Sequence, residues 1–178
     1  ALNACTGSDN TAVGSSAGLD LTSGGSNTFI GKDSGANITT SGDNVAVGYA
    51  SLQTATTALH NVALGYSAMG NVAASQAVSG AVAIGSGALN SSASSNTNIG
   101  YTIAIGNNAA YSLTTGGGNI AIGHEALKVH TTGDKNIAIG RYAMYNTDAG
   151  SNSLGSSNNL FMGYNSGSGD WADTASNY

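Results

Sequence analysis

The sequence predicts an all-β protein, a parallel β-solenoid (β-roll) of about nine coils of ~17 residues each. Two observations carry that prediction. The first is a five-residue phrase, Asn-x-Ala-Φ-Gly with Φ an aliphatic residue or Met, which returns nine times. Its closing glycines are Gly14, Gly31, Gly48, Gly65, Gly85, Gly106, Gly123, Gly140 and Gly163, separated by 17, 17, 17, 20, 21, 17, 17 and 23 residues. The second is composition. The chain has 27 glycines, no proline and only 7% charged residues, against roughly 25% in ordinary soluble domains. Such low complexity is compatible with disorder, but disordered segments lack the regular apolar positions that this chain places in every coil.

Each part of the phrase has an expected role. Side chains alternate across a strand, so in NVAVG (44–48) Val45 and Val47 face one way and Asn44 and Ala46 the other. The same alternation holds at Val62/Leu64, Val82/Ile84, Ile103/Ile105, Ile120/Ile122 and Ile137/Ile139. These β-branched pairs suit a strand and are expected to form the core. The middle slot is Ala in seven copies and Phe in two, Phe29 and Phe161. An Ala column is expected to let a second backbone layer approach closely. The closing Gly predicts a bend of positive φ or a crowded site. The head residues Asn10, Asn27, Asn44, Asn61, Asn119, Asn136 and Asn159 are expected to stack into an amide ladder. Copies five and six lack this Asn and carry Ala81 and Thr102 instead.

Three residues after each Gly stands a small residue, often followed by Leu or Met, as at Leu52, Met69, Leu89, Leu127 and Met144. This predicts a second short strand or turn that adds one apolar side chain per coil. HEALKVH (124–130) has helical character in isolation, but the stacking period argues against a helix there. Thr pairs such as Thr39-Thr40 and Thr131-Thr132 precede Gly and Asn or Asp, which is turn chemistry. Because these threonines are adjacent, they do not make the two-column Thr face of an ice-binding solenoid. The whole chain, 1–178, is one repeat domain: repeats over 10–167, a lead-in at 1–9 and a tail at 168–178.

Composition narrows the function. Net charge is −5 and only Lys32, Lys128, Lys135 and Arg141 are basic, too few cations for a nucleic-acid partner. No apolar run approaches the ~18 residues of a membrane span. The chain lacks an initiator Met and a leader, and reads as a segment of something longer or a processed form. Cys5 is the only cysteine, so no intrachain disulfide forms. Three sizeable apolar residues per coil make a thin core for so many ordered residues. Packing several chains side by side would thicken it, which predicts a homo-oligomer. At ≈ 4.8 Å per coil the rod would be on the order of 43 Å long.

The phrases NIAIG (119–123, 136–140) and AVAIG (81–85) resemble the head repeats of trimeric autotransporter adhesins. The fuller forms NVAVGYASL (44–52), NVALGYSAM (61–69) and NIAIGHEAL (119–127) are similar to repeats of phage tail-fibre and tailspike proteins. The resemblance covers 10–167. It implies a left-handed homotrimeric β-roll, outside the cell, on a virion tail or a bacterial surface. The implied function is a structural fibre segment for host attachment, with a host surface glycan or protein as partner. A bacterial adhesin head and a passive shaft without its own ligand are the alternatives. The period is longer than adhesin heads usually keep.

Recognition is expected where regularity fails. The extra residues of the long intervals fall within Gly70 to Gly80, Asn90 to Tyr101 and Asn146 to Asn158. The slot after each Gly is the second place: Ser15, Lys32, Tyr49, Tyr66, Ser86, Asn107, His124, Arg141 and Tyr164. Tyr49 and Tyr66 offer sugar- or protein-binding rings, or else simply stack on each other. Tyr142, Tyr145 and Trp171 extend the aromatic surface towards the C-terminal end. No metal or cofactor site is expected: His60, His124 and His130 are dispersed. Catalysis is not expected either. Glu125 is the only glutamate, and a pairing with Asp134 would be fortuitous.

Overall fold

The computed structural model describes residues 1–72, 77–91, 98–146 and 156–169. It is an all-β parallel solenoid of stacked coils, with no helix among the described residues. The nine phrases form the strands β1 (Thr11–Val13), β2 (Thr28–Ile30), β3 (Val45–Val47), β5 (Val62–Leu64), β7 (Val82–Ile84), β8 (Ile103–Ile105), β9 (Ile120–Ile122), β10 (Ile137–Ile139) and β11 (Leu160–Met162). These make one parallel sheet in chain order. Two further strands, β4 (Thr57–Leu59) and β6 (Ala77–Ser79), pair beside it. Register never slips: Ala46 lies opposite Ala63, Ala83 opposite Ala104, and Ala138 opposite Phe161. The longer intervals are therefore absorbed outside the sheet. Residues 124–127 form a corner, as the stacking period demands.

The faces of the strands are the reverse of the expectation. Ala46, Ala63, Ala83, Ala104, Ala121 and Ala138 are fully buried, together with Phe29. The flanking aliphatic pair points outward: Val13 is 58% exposed and Met162 63%, and the pairs of the middle rungs are half-buried. The reason is room. The interior already receives a Leu or Met from the corner at Leu52, Met69, Leu89, Leu127 and Met144, and a further column at Leu21, Ile38, Ala55, Val72, Leu113 and His130. A coil this small holds those and a methyl group, not a pair of β-branched chains as well.

The two Phe rungs show the same limit from the other side. Where the strand brings Phe29, the corners carry Gly18 and Gly35 instead of Leu or Met. A Cβ on Gly35 would fall 2.6 Å from Phe29 Cδ1, and one on Gly18 2.9 Å from Cδ2. Phe161 is matched with Gly167 in the same way, at 2.6 Å from Cγ. Interior volume is conserved rung by rung, as close packing requires.

Two backbone devices hold the coils in register. The closing Gly has φ near 130° in the regular rungs, for example 131° at Gly48, and a Cβ there would lie 2.7 Å from the Gly65 carbonyl carbon. Both expectations for this Gly, the bend and the crowding, hold together. The Asn ladder also forms, and it is buried. Asn44 Nδ2 donates to Asn27 Oδ1 at 3.0 Å and Asn61 Nδ2 to Asn44 Oδ1 at 3.1 Å, and the Asn61 backbone N–H donates to the same Asn44 oxygen at 3.1 Å. The amide of Asn44 also donates to Gly42 and Ala58 carbonyls, so each Asn ties a strand to its own turn and to the next coil. Cys5 packs at the partly buried lead-in with its Sγ near the Gly24 carbonyl.

Candidate functional site

The slot after each Gly does face solvent, and the structure gathers its large residues into two patches. In the first, Tyr49 and Tyr66 stack with centroids 5.3 Å apart and planes 13° from parallel, and Lys32 sits 5.1 Å above the Tyr49 ring. The tyrosines thus satisfy each other on one side, while Tyr66 remains 61% exposed. In the second, Arg141 lies 4.7 Å from the Tyr142 centroid and donates to its hydroxyl at 3.1 Å. Tyr142 meets His124, Tyr145 and Tyr164 edge-on at 5.4, 5.3 and 6.2 Å. Trp171 and the rest of the tail beyond Gly169 lie outside the described residues, as do 73–76, 92–97 and 147–155 of the three insertions.

The ionisable groups beside the second patch are occupied with each other. Lys128 donates to Glu125 at 2.7 Å and covers the Tyr145 ring. Burial tends to raise the Glu125 pKa, but the Lys128 bond and charge outweigh it and the carboxyl is lowered; the same bond raises Lys128. Asp134 instead accepts from the Gly117 N–H at 2.8 Å, so each of these two carboxylates has its own partner. His130 is buried inside the solenoid while His124 is on its surface. Among the described residues no group of three or more His, Cys, Asp or Glu is placed to hold a metal. The threonine hydroxyls at Thr22, Thr39 and Thr114 donate to carbonyls of the neighbouring coil, at 3.0, 3.3 and 2.9 Å. They serve stacking.

A concave site lies elsewhere, at the other end of the strands. The residue preceding each phrase sits in the left-handed region at every rung: Asp9, Ser26, Asp43, His60, Gly80, Tyr101, Gly118, Lys135 and Asn158 all have φ between 57° and 69°. Gly and Asn tolerate this conformation best, and other residues pay roughly 1–2 kcal/mol in strain. Tyr101 stands there 74% exposed, between Gly80 on one rung and Gly118 on the next. Its ring lies over Gly80, where a Cβ would come within 2.9 Å of Cδ1.

The two glycine neighbours leave a cleft of about 330 Å³ lined by Asn98, Gly100, Tyr101, Gly117, Gly118, Asp134 and Lys135. Its floor is glycine backbone joined between coils: Gly118 N–H donates to Gly100 O and Lys135 N–H to Gly117 O, both at 3.1 Å. Asp134 is fixed three ways. Its carboxylate takes the Gly117 N–H, its own N–H donates to Ser157 Oγ at 2.9 Å, and its carbonyl accepts from Asn158 N–H at 3.0 Å. Asn98 and Tyr101 close the 90–101 insertion, so one of the expected irregular regions does border a cavity. Tyr101, Asp134 and Lys135 as a group were not anticipated. A signal for them exists in the sequence, namely a single Tyr in a column otherwise composed of Gly and polar residues. No protein-family model, curated protein or solved structure matches the chain.

Proposed function

We propose that this chain is a structural segment of an extracellular fibre, working as a side-by-side oligomer of identical copies and serving attachment to a host cell surface. The resemblance of its repeats gives the finer reading: a homotrimer, in a phage tail fibre or spike. A bacterial surface adhesin head is the alternative placement. The chain has no catalytic role in this reading.

One observation carries the side-by-side association, and the resemblance of the repeats carries the rest. The outward face of the nine-stranded sheet presents eighteen side chains in two columns, and sixteen are aliphatic or Met, the others being Thr11 and Thr28. A sheet with one face in water ordinarily turns polar side chains to the solvent. This sheet turns Ala or Phe inward and, apart from those two threonines, Val, Ile, Leu and Met outward, with no charge among them. A continuous apolar surface of that kind is a contact surface, and a rod with a repeating face matches further copies of itself in register. The aromatic patches and the Tyr101 cleft lie at the two ends of the strands, beside that face.

The test is mass in solution. Light scattering on the native chain is expected to give a multiple of 17.3 kDa, threefold for the trimer. The double variant Ile105→Lys, Ile122→Lys places charge on the outward face of β8 and β9 and is expected to lower the mass while the β circular-dichroism spectrum persists. A native chain that is monomeric at micromolar concentration would sink this reading.

A further inference from the structure

The geometry points to the Tyr101 cleft as a binding subsite for a neutral hexose unit of a glycan. A pyranose has an apolar C–H face and a rim of hydroxyls that both donate and accept. The cleft offers the complement of each. Tyr101 presents an exposed ring, and an aromatic ring with a polar tip is suited to such an amphipathic partner. The left-handed turn shared by this column carries that ring outward over Gly80, and among the described residues it stays 74% exposed.

The opposite wall supplies the polar half. Lys135 occupies the column of Tyr101 two rungs further on, roughly 10 Å away at two strand spacings. The missing side chain at Gly118 is the notch between them. Asp134 has one carboxylate oxygen on the Gly117 N–H and the other available as an acceptor. Lys135 donates, and Asn98 does both. The adjacent Asp134 and Lys135 carry opposite charges, so the wall has no net charge to select an acidic sugar or a phosphate. A volume of about 330 Å³ is at the small end of the ~300–1,000 Å³ of small-molecule sites, suited to a single sugar ring with its neighbours left in solvent. The anchoring of Asp134 from three directions means little ordering remains to be done on binding.

This gives the proposed attachment surface a ligand class, and it rests on that reading only for where the glycan is found. The experiment is saturation-transfer NMR on the assembled native protein with methyl glucoside, methyl galactoside and methyl mannoside, and with methyl glucuronoside as the acidic comparison. At least one neutral hexoside is expected to receive saturation at its ring C–H protons, with millimolar affinity. Gly118→Asn fills the notch with a residue that accepts left-handed φ, and among the described residues its Cβ would meet only Lys135 Cγ at 3.7 Å. That variant, and Tyr101→Asn, are expected to lose roughly tenfold or more in affinity. Asn37→Ala, exposed on a distant rung, is expected to bind as the native protein does. No transfer to any neutral hexoside, transfer that survives both cleft substitutions, or transfer confined to the glucuronoside would each overturn the assignment. Mass measured on the same samples keeps the two readings apart. Monomeric native protein counts against the fibre, whereas an intact oligomer without transfer counts against the cleft alone.

Discussion

The rungs headed by Asn and the two rungs headed by Ala81 and Thr102 are built on the same strand but not by the same rule. In the first four rungs each Asn hands its oxygen to the next Asn, ending where Asn61 Oδ1 accepts the Ala81 N–H at 2.9 Å. The ladder restarts at Asn119 and runs through Asn136 to Asn159. Between them lie Ala81, which has no side-chain amide, and Thr102, whose buried hydroxyl has no partner among the described residues. Length is not the cause. The longest interval, 23 residues between Gly140 and Gly163, keeps its Asn136–Asn159 bond at 3.0 Å. The break coincides instead with Tyr101, the residue beside Thr102, and with the cleft that opens there. A local rule is broken where a surface feature is built, as happens at functional sites.

The largest expected effect comes from breaking the part common to all rungs. Gly48→Val would place a β-branched side chain at φ 131° with its Cβ 2.7 Å from the Gly65 carbonyl carbon. Both backbone and neighbour would have to move, at a cost of more than ~4 kcal/mol. Among the described residues Gly163→Val has nothing within 4 Å of its Cβ, so it carries only the backbone strain of φ 118°. Thermal unfolding at fixed concentration is expected to show Gly48→Val unfolded or grossly destabilised and Gly163→Val folded but weakened by only ~1–3 kcal/mol. Equal losses would refute stacking as the reason for the glycine column.

Breaking the ladder itself comes next. Asn44→Ala removes a side chain that serves Asn27, Asn61, Gly42 and Ala58. Buried donors and acceptors left behind cost ~1–3 kcal/mol each, so a loss of about 3 kcal/mol or more is expected in denaturant titration. A loss under about 1 kcal/mol would reduce the ladder to decoration.

The C-terminal rungs differ from the N-terminal ones in a titratable way. His130 takes the interior place held by Leu21, Ile38 and Leu113. Burial lowers its pKa from 6.5 to about 4, opposed by a hydrogen bond to the Ser156 backbone. Its Nε2 faces the Asn136 amide at 3.4 Å, an arrangement that suits a neutral ring. The folded state therefore binds the proton less tightly than the unfolded chain. Stability is complete above pH ~6.5, falls as pH drops towards ~4, and levels off below. A span of ~2.5 units at about 1.4 kcal/mol each gives a loss of roughly 3 kcal/mol by pH 4 and about 1 kcal/mol at pH 5.5. His130→Leu is expected to flatten that part of the pH profile; an unchanged slope would place the titration elsewhere.

The stack was legible because it repeats: phrase, period, Gly bend, Asn ladder and strand register all follow from residues that recur every coil. Strand polarity was not legible from the phrase alone. Alternation says that Val45 and Val47 share a face, and the larger pair was assigned to the core. The deciding information lay elsewhere in the coil, in the exchange of Leu52 or Met69 for Gly35 where Ala46 or Ala63 gives way to Phe29. Read as a volume balance, that exchange puts the middle slot inside. The cleft was legible only in part. The 90–101 insertion pointed to the region, but Tyr101, Asp134 and Lys135 meet only through the stacking of coils, which local sequence does not announce.

The smallest expected effect repairs the difference instead of enlarging it. Thr102 occupies a head position in register with Asn119, since β8 and β9 pair in step. Thr102→Asn would offer Asn119 the oxygen that Asn119 offers Asn136, extending the second ladder by one rung and leaving the gap at Ala81. Thr102→Val would only delete the partnerless hydroxyl at almost constant shape. Each removes an unsatisfied buried group and is expected to stabilise by about 1 kcal/mol, the Asn variant by slightly more. For a chain of this length that is a rise in Tm of about 2–4 °C per kcal/mol, read at equal protein concentration. If the ladder was given up to shape the Tyr101 turn, Thr102→Asn will stabilise the fold yet weaken hexoside binding, whereas Thr102→Val will stabilise it and leave binding intact. If both variants bind as the native chain does, the break and the cleft share a rung without sharing a cause.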